Sequence, residues 1–266
     1  MASVAAAIEE KAGPSPAASG DAAAIMRLKG LSRRFGSLMA LSDVTFDIKK
    51  GEILGIAGPN GAGKTTLLNL CTGALAPSSG QVIVDGEDLA GSRPHVFCRA
   101  GVARTFQVPQ VFSSMTIRDN VWTGARFGLA GKRGGADPSD AADAALGETG
   151  LTRIADEPVA RADLLTRKRA MLAAALATGP KLVFMDEPFG GLNAAEVDDF
   201  AGLIRKLFQQ LRITFVVVEH KIRALSQLSD RMLILNFGRV LSLDTPERVL
   251  NDEEVIRIYL GKRNLA

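Results

Sequence analysis

"EILGIAGPNGAGKTTLLNL", residues 52–70, passes from a short apolar run into a glycine-rich turn and then into a helical pattern. Glu52 to Ala57 reads as a strand buried on both faces. "TTLLNLCTGAL", from Thr65, supplies the helix. Between them "GPNGAGKTT" matches G-x-x-x-x-G-K-[ST] through Gly58, Gly63, Lys64 and Thr65. Glycines let successive backbone N–H groups turn inward at a helix N-terminus and line a phosphate-sized hollow. Lys64 then reaches the β- and γ-phosphates of a nucleotide, and the Thr65 hydroxyl ligates Mg²⁺. Asn60, Gly61, Ala62 and Thr66 complete the expected ATP cradle.

Outward from this loop, "KLVFMDE", "ITFVVVEH" and "RMLILN" are further short apolar strands, separated by helical patterns. Val197, Phe200, Ile204, Leu207 and Leu211 recur at steps of three and four, as one face of a helix requires. Such alternation predicts an α/β fold with a mostly parallel sheet covered on both faces. "MRLKGL", "VTFDI" and "QVIVDG" alternate like half-buried strands, with Val44, Phe46 and Ile48 on one side. From about residue 93 to 178 the strand signals fade. A helical subdomain is expected there, interrupted by a flexible "GKRGGADPSD" connection. Met1 to Ala24 is rich in Ala, Ser, Pro and Gly, with Glu9 and Glu10 and no basic start, and reads as a disordered tail rather than a signal peptide.

Asp186 and Glu187 end one of the apolar strands. After a phosphate loop on the same chain, Asp186 reads as the acid that holds Mg²⁺ through water, and Glu187 as the group that polarises an attacking water. His220, closing "ITFVVVEH", is expected beside the Asp186 strand at the carboxyl edge of the sheet, where such folds bind ligands. A net charge of +3 is mild and argues against a protein that coats nucleic acid. No apolar run is long enough to cross a bilayer. Cys71 and Cys98 have no metal or redox spacing and read as buried thiols.

With Gly58–Thr66, Asp186–Glu187 and His220 in this order, the chain resembles the nucleotide-binding subunit of an ATP-binding cassette (ABC) transporter from Met26 onward. The resemblance implies a P-loop NTPase, residues 25–266, with an antiparallel β subdomain beside the core sheet and the helical subdomain inserted. It also implies further site residues. Phe35 in "RRFGSLMAL", which alone reads as a core strand residue, matches the aromatic that stacks on adenine. Gln107 in "VARTFQ" matches the glutamine that contacts Mg²⁺ and the attacking water. "GGLN" stands where a loop crosses to the partner subunit, with Asn193 in place of the commoner Asp. "GVARTFQVPQVFSSMTIRDNV", "DEPFGGLNAAEV", "VVVEHKI" and "LNFGRVLSLDTPERVLNDEEVIRIYLG" look like ATPase subunits of branched-chain amino acid importers, and the last is also similar to urea importers and to the ATPase of lipopolysaccharide export.

In this family two ATPase subunits stack head to tail, and a signature loop from one completes the ATP site of the other. That loop is usually Leu-Ser-Gly-Gly-Gln, and here it falls on Ala162-Asp163-Leu164-Leu165-Thr166. Asp163 replaces the serine that bonds the γ-phosphate, and Leu165 replaces a glycine needed for close backbone approach. Arg161, Arg167, Lys168 and Arg169 could offset some negative charge, although such a run is more often a solvated helix start. The resemblance thus implies an ATPase at the cytoplasmic face of a bacterial inner membrane. Its partners would be a second, unlike ATPase subunit, integral permease subunits contacted near Gln107, Phe112 and Met115, and, indirectly, a secreted binding protein. A different cargo, a regulatory subunit with little turnover, and a soluble DNA- or ribosome-acting ABC protein are the rival readings.

Overall fold

The computed structural model describes residues 23–128 and 137–260. The chain runs through β1 (Ala24–Phe35), β2 (Leu38–Lys49), β3 (Ile53–Ala57), α1 (Lys64–Cys71), β4 (Ser79–Val84), β5 (Glu87–Asp88) and α2 (Pro94–Arg99). It continues through β6 (Val102–Thr105), α3 (Ile117–Phe127), α4 (Pro138–Glu148), α5 (Leu164–Ala177), β7 (Leu182–Asp186), α6 (Ala194–Leu211) and β8 (Thr214–Val218). It closes with α7 (Ile222–Leu228), β9 (Arg231–Asn236), β10 (Arg239–Asp244), α8 (Pro246–Leu250) and α9 (Glu253–Leu260).

Two sheets result. The six-stranded sheet has the order β10-β9-β3-β8-β7-β6. It is parallel from β9 to β6, with β10 antiparallel at one edge. The four-stranded sheet, β2-β1-β4-β5, is antiparallel throughout.

Successive residues of a strand point to opposite faces, and the parallel strands use this to divide two cores. Ile53, Val183, Met185, Phe215 and Val217 pack among the residues of α3 to α6. Their neighbours Leu54, Ile56, Phe184, Val216 and Val218 pack with α1 and the antiparallel sheet. Burial of each such side chain contributes about 1.5–3 kcal/mol, so the central strands are secured from both sides. Val44, Phe46 and Ile48 face the second core as their alternation predicts. In α6, Val197, Phe200, Ile204 and Leu207 are buried, but Leu211, the last residue of the helix, is 39% exposed.

At the C-terminal end of α3, helices α3 and α5 meet without a side-chain layer between them. A Cβ on Gly124 would stand 2.1 Å from the Ala174 carbonyl oxygen, and one on Gly128 would stand 2.3 Å from the Thr178 Cα.

Two expectations need correction, and two others lie largely outside the described residues. The region from 93 to 178 is not free of strands, since β6 joins the core sheet beside β7. Residues 1–22 of the expected tail lie outside the described residues, while Ala23 accepts a hydrogen bond from Lys50 N and Ala24 opens β1. Of "GKRGGADPSD", residues 131–136 also lie outside them, and Pro138 to Asp140 are already α4, capped by Asp137. Cys71 is buried but Cys98 only half-buried. Among the described residues no helix is long and apolar enough to cross a membrane.

Candidate functional site: a phosphate cradle and an acid pair

The four strands β3, β8, β7 and β6 are neighbours, and each ends in a residue singled out by sequence. β3 leads into the glycine loop, β8 into His220, β7 into Asp186 and Glu187, and β6 into Gln107.

The cradle follows from backbone geometry. Gly58 has φ 156°, and a Cβ there would lie 2.2 Å from the Leu235 carbonyl oxygen. Gly63 caps α1 at φ 101°, with its missing Cβ 2.7 Å from the Ala40 oxygen. At both positions a larger residue would collide with backbone that cannot swing aside. Gly238 N donates to the Ala62 oxygen at 2.9 Å, which ties the loop to the β9–β10 turn. Asn60, Gly61 and Thr65 remain exposed and Thr66 half-exposed, on the loop and the first turn of the helix.

Lys64 is buried, its Nζ donating to Gly58 O at 2.6 Å and Pro59 O at 3.0 Å. Burial lowers its pKa, while Glu187 and Asp186 pull the other way. The ammonium is therefore held inside the loop at a site where phosphate oxygens can replace two carbonyls.

Glu187 is bracketed. Gln107 Nε2 donates to its Oε2 at 2.5 Å, and His220 Nδ1 stands 3.2 Å from its Oε1. The residue takes φ 44°, uncommon for a side-chain-bearing residue, and its own N–H donates to Val218 O at 2.8 Å. The structure thus brings Gln107, Glu187 and His220 together, beside Asp186 on the same strand end. The oxygen donors that the sequence assigns to a cation are few: Asp186, the Thr65 hydroxyl and Gln107. Among the described residues no group of three or more His, Cys, Asp or Glu side chains is placed to hold a metal. That sparse, hard donor set fits Mg²⁺, which keeps several waters and takes one or two carboxylates plus phosphates.

Phe35 is not a core residue. It is 43% exposed at the end of β1, with the Arg33 guanidinium 4.7 Å above its ring. Phe112 and Met115 are also exposed, in a loop pinned by buried Asn120, whose Oδ1 accepts from Phe112 N at 2.7 Å. Asn193 caps α6 in a reciprocal box with Glu196.

The loop at Ala162–Thr166 also turns out to be a helix start. Asp163 caps α5, its Oδ1 accepting from Thr166 N at 2.7 Å, and this bond holds its carboxyl below the usual range. Leu165 is half-buried against the helical core and Leu164 is exposed. The following basic run is not a solvated face. Lys168 is only 1% exposed and donates to Gln107 O at 3.1 Å. Arg169 pairs with Asp199 and Arg167 bonds Ala160 O.

Three residues near the site went unread in the sequence. Arg104 donates to Asp186 Oδ2 at 2.9 Å and to Asn69 Oδ1 at 2.6 Å. Glu219, 1% exposed, accepts from Phe189 N at 2.7 Å, and burial raises its pKa. Lys221 donates to Phe189 O at 3.0 Å. The available signal was position alone, since each lies within three residues of a recognised site residue.

Sequence and structure relatives identify the family. A family profile described as ABC transporter matches residues 41–190. The chain is 33% identical to the high-affinity branched-chain amino acid transport ATP-binding protein BraF of Pseudomonas aeruginosa, over 90% of this chain and 98% of that protein. It is 30% identical to the lipopolysaccharide export system ATP-binding protein LptB of Haemophilus influenzae, covering 90% and 98%. The ADP conformation of MJ1267, an ATP-binding cassette of an ABC transporter, superposes with a TM-score of 0.81 at 27% identity, covering 90% of this chain and all of that one. The dimeric structure of the bacterial ABC transporter cassette MJ0796 gives 0.72 at 26% identity, covering 83% and 98%. The chain belongs to the ABC transporter family, as an ATP-binding, ATP-hydrolysing cassette subunit.

Proposed function

We propose that this chain is the motor of a bacterial importer for branched-chain or related amino acids, with Glu187 as its general base. The observation that carries the catalytic part is the pair of contacts on Glu187, from Gln107 and His220, at the end of the strand beside the phosphate loop. They orient a carboxylate that can accept a proton from water. Lys64 exchanges its two carbonyl partners for phosphate oxygens, the α1 N-terminus supplies backbone donors, and Phe35 offers a face to adenine. Asp186, Thr65 and Gln107 would hold Mg²⁺, which when bound neutralises phosphate charge.

The resemblance to BraF across nearly both whole chains supports the cargo. The likeness to LptB supports lipopolysaccharide export as the second reading. A regulatory subunit without turnover would have no need of an oriented Glu187. On the first reading the chain works on the cytoplasmic face of the inner membrane, under permease subunits seated near Phe112 and Met115 and fed by a secreted binding protein. Asp163 and Leu165 further favour an unequal pair, in which a partner carrying serine and glycine completes this chain's own cradle. Reconstitution with its permease subunits tests the cargo. ATP-dependent uptake of labelled leucine into proteoliposomes is expected, and transport of lipopolysaccharide with no amino acid uptake would overturn the assignment.

A further inference from the structure

The Arg104 guanidinium sits where three groups converge. Nη2 donates to Asp186 Oδ2 at 2.9 Å, Nη1 donates to Asn69 Oδ1 at 2.6 Å, and Cζ lies 4.8 Å from the Phe106 ring centroid. The Arg104 and Asp186 side chains are only 12% and 13% exposed, so solvent screens the pair weakly. Arg104 Nε is buried without a hydrogen-bond partner, so the fork is aimed at Asp186 and Asn69 at the expense of another donor. Asn69 lies on α1, the helix that begins at the phosphate cradle, and Arg104 lies three residues before Gln107. Lys64 adds a second cation in the field of Asp186 and Glu187.

We propose that Arg104 is a built-in counter-ion that competes with a divalent metal for Asp186 and thereby sets how much the metal adds to nucleotide binding. The proposal rests on the reading of Asp186 as the metal acid. A guanidinium keeps its proton at any working pH. A second cation brought to the same carboxylate must therefore work against its charge or displace it, and the Asn69 and Phe106 contacts resist displacement. Arg104 is a positioning residue, acting through Asp186.

The test is calorimetry of ADP binding to the purified full chain, once with Mg²⁺ and once with EDTA. The ratio of the two affinities measures what the metal contributes, without turnover. Arg104→Gln should raise this ratio about three- to tenfold, the range of a partly screened ion pair. Arg104→Lys, which keeps the charge but loses the fork held by Asn69, should raise the ratio less than Arg104→Gln does. Asp186→Asn should lower the ratio. If Asp186→Asn leaves it unchanged, the metal acid lies elsewhere and both readings fall. If Asp186→Asn lowers it but Arg104→Gln shifts both affinities together, Arg104 is merely structural and only the proposal falls. A rise with Arg104→Lys equal to that with Arg104→Gln would also overturn it. Should Arg104→Gln not fold, Asn69→Ala decides: release of the Nη1 anchor should raise the ratio, and no change would refute the competition.

Discussion

Two loops of this chain are read as phosphate-facing, and they are held by different means. The cradle at Gly58–Lys64 is fixed by backbone: Gly58 abuts Leu235 O, Gly63 abuts Ala40 O, and Gly238 N clips Ala62. The loop at Ala162–Thr166 is held by a side-chain cap, Asp163 on α5, together with local bonds such as Ala162 N to Val159 O, and Leu165 is tucked half-inside. The first loop tolerates few residues because a Cβ would collide with main chain. The second needs a cap acceptor and an apolar neighbour, and Asp and Leu fulfil those needs without any phosphate. Fold stability can therefore preserve the second loop while its grip on a nucleotide is lost, whereas in the first the two are inseparable.

The widest difference between the loops should appear in turnover. Glu187→Gln in this chain keeps the Gln107 side of the site but removes the base, and should cut ATP hydrolysis of the assembled complex by about 10²–10⁴-fold. The matching substitution in an unlike partner, whose ATP would face Asp163 and Leu165, should cost much less. Equal losses, or full activity from a homodimer of this chain, would erase the asymmetry. Next comes Lys64→Ala, which removes a charge-assisted phosphate contact and should weaken ATP binding by about a hundredfold, read by calorimetry. An unchanged affinity would mean that the cradle is not the nucleotide site.

A smaller gain should follow from repairing the second loop. Asp163→Ser with Leu165→Gly restores a neutral donor and close approach, and should raise hydrolysis at the partner's site by about tenfold, the worth of one such bond. No gain would place the defect outside these two positions. The smallest effect concerns the cap alone. Asp163→Ala should cost about 1 kcal/mol of stability, measured by urea denaturation near neutral pH. The folded carboxyl titrates below its unfolded value. Its contribution is thus fully present above about pH 4 and disappears as pH falls through the folded pKa. The parent and variant curves should converge in acid, and a gap that persists there would show that the side chain stabilises by something other than its ionised cap.

The same contrast explains what could be read in advance. β3, the glycine loop and α1 were legible because all the determinants are contiguous: a buried strand, glycines at positive φ and a helix start. The ends of β7 and β8 were legible as apolar runs closing on Asp186 and His220. β6 was not, because "VART" is four residues long and carries Arg104, whose burial depends on Asp186 some eighty residues away. Lys168 was misread for a similar reason. A basic triplet at a helix start has no local mark that one member points inward, and only the fold reveals Gln107 O as its acceptor. Asp163 was examined for what it could do to a phosphate, while its local pattern, an acid three residues before Thr166, already described a cap.

The glycine contact between α3 and α5 has a mechanical consequence. At Gly124 and Gly128 the two helices touch backbone to backbone, so no flexible side chains lie between them to absorb a displacement. α3 starts beside the loop of Phe112 and Met115, and α5 starts at Asp163. The pair is therefore joined without slack at its far ends, so a tilt of α3 about that joint passes to α5 through main chain rather than through yielding side chains.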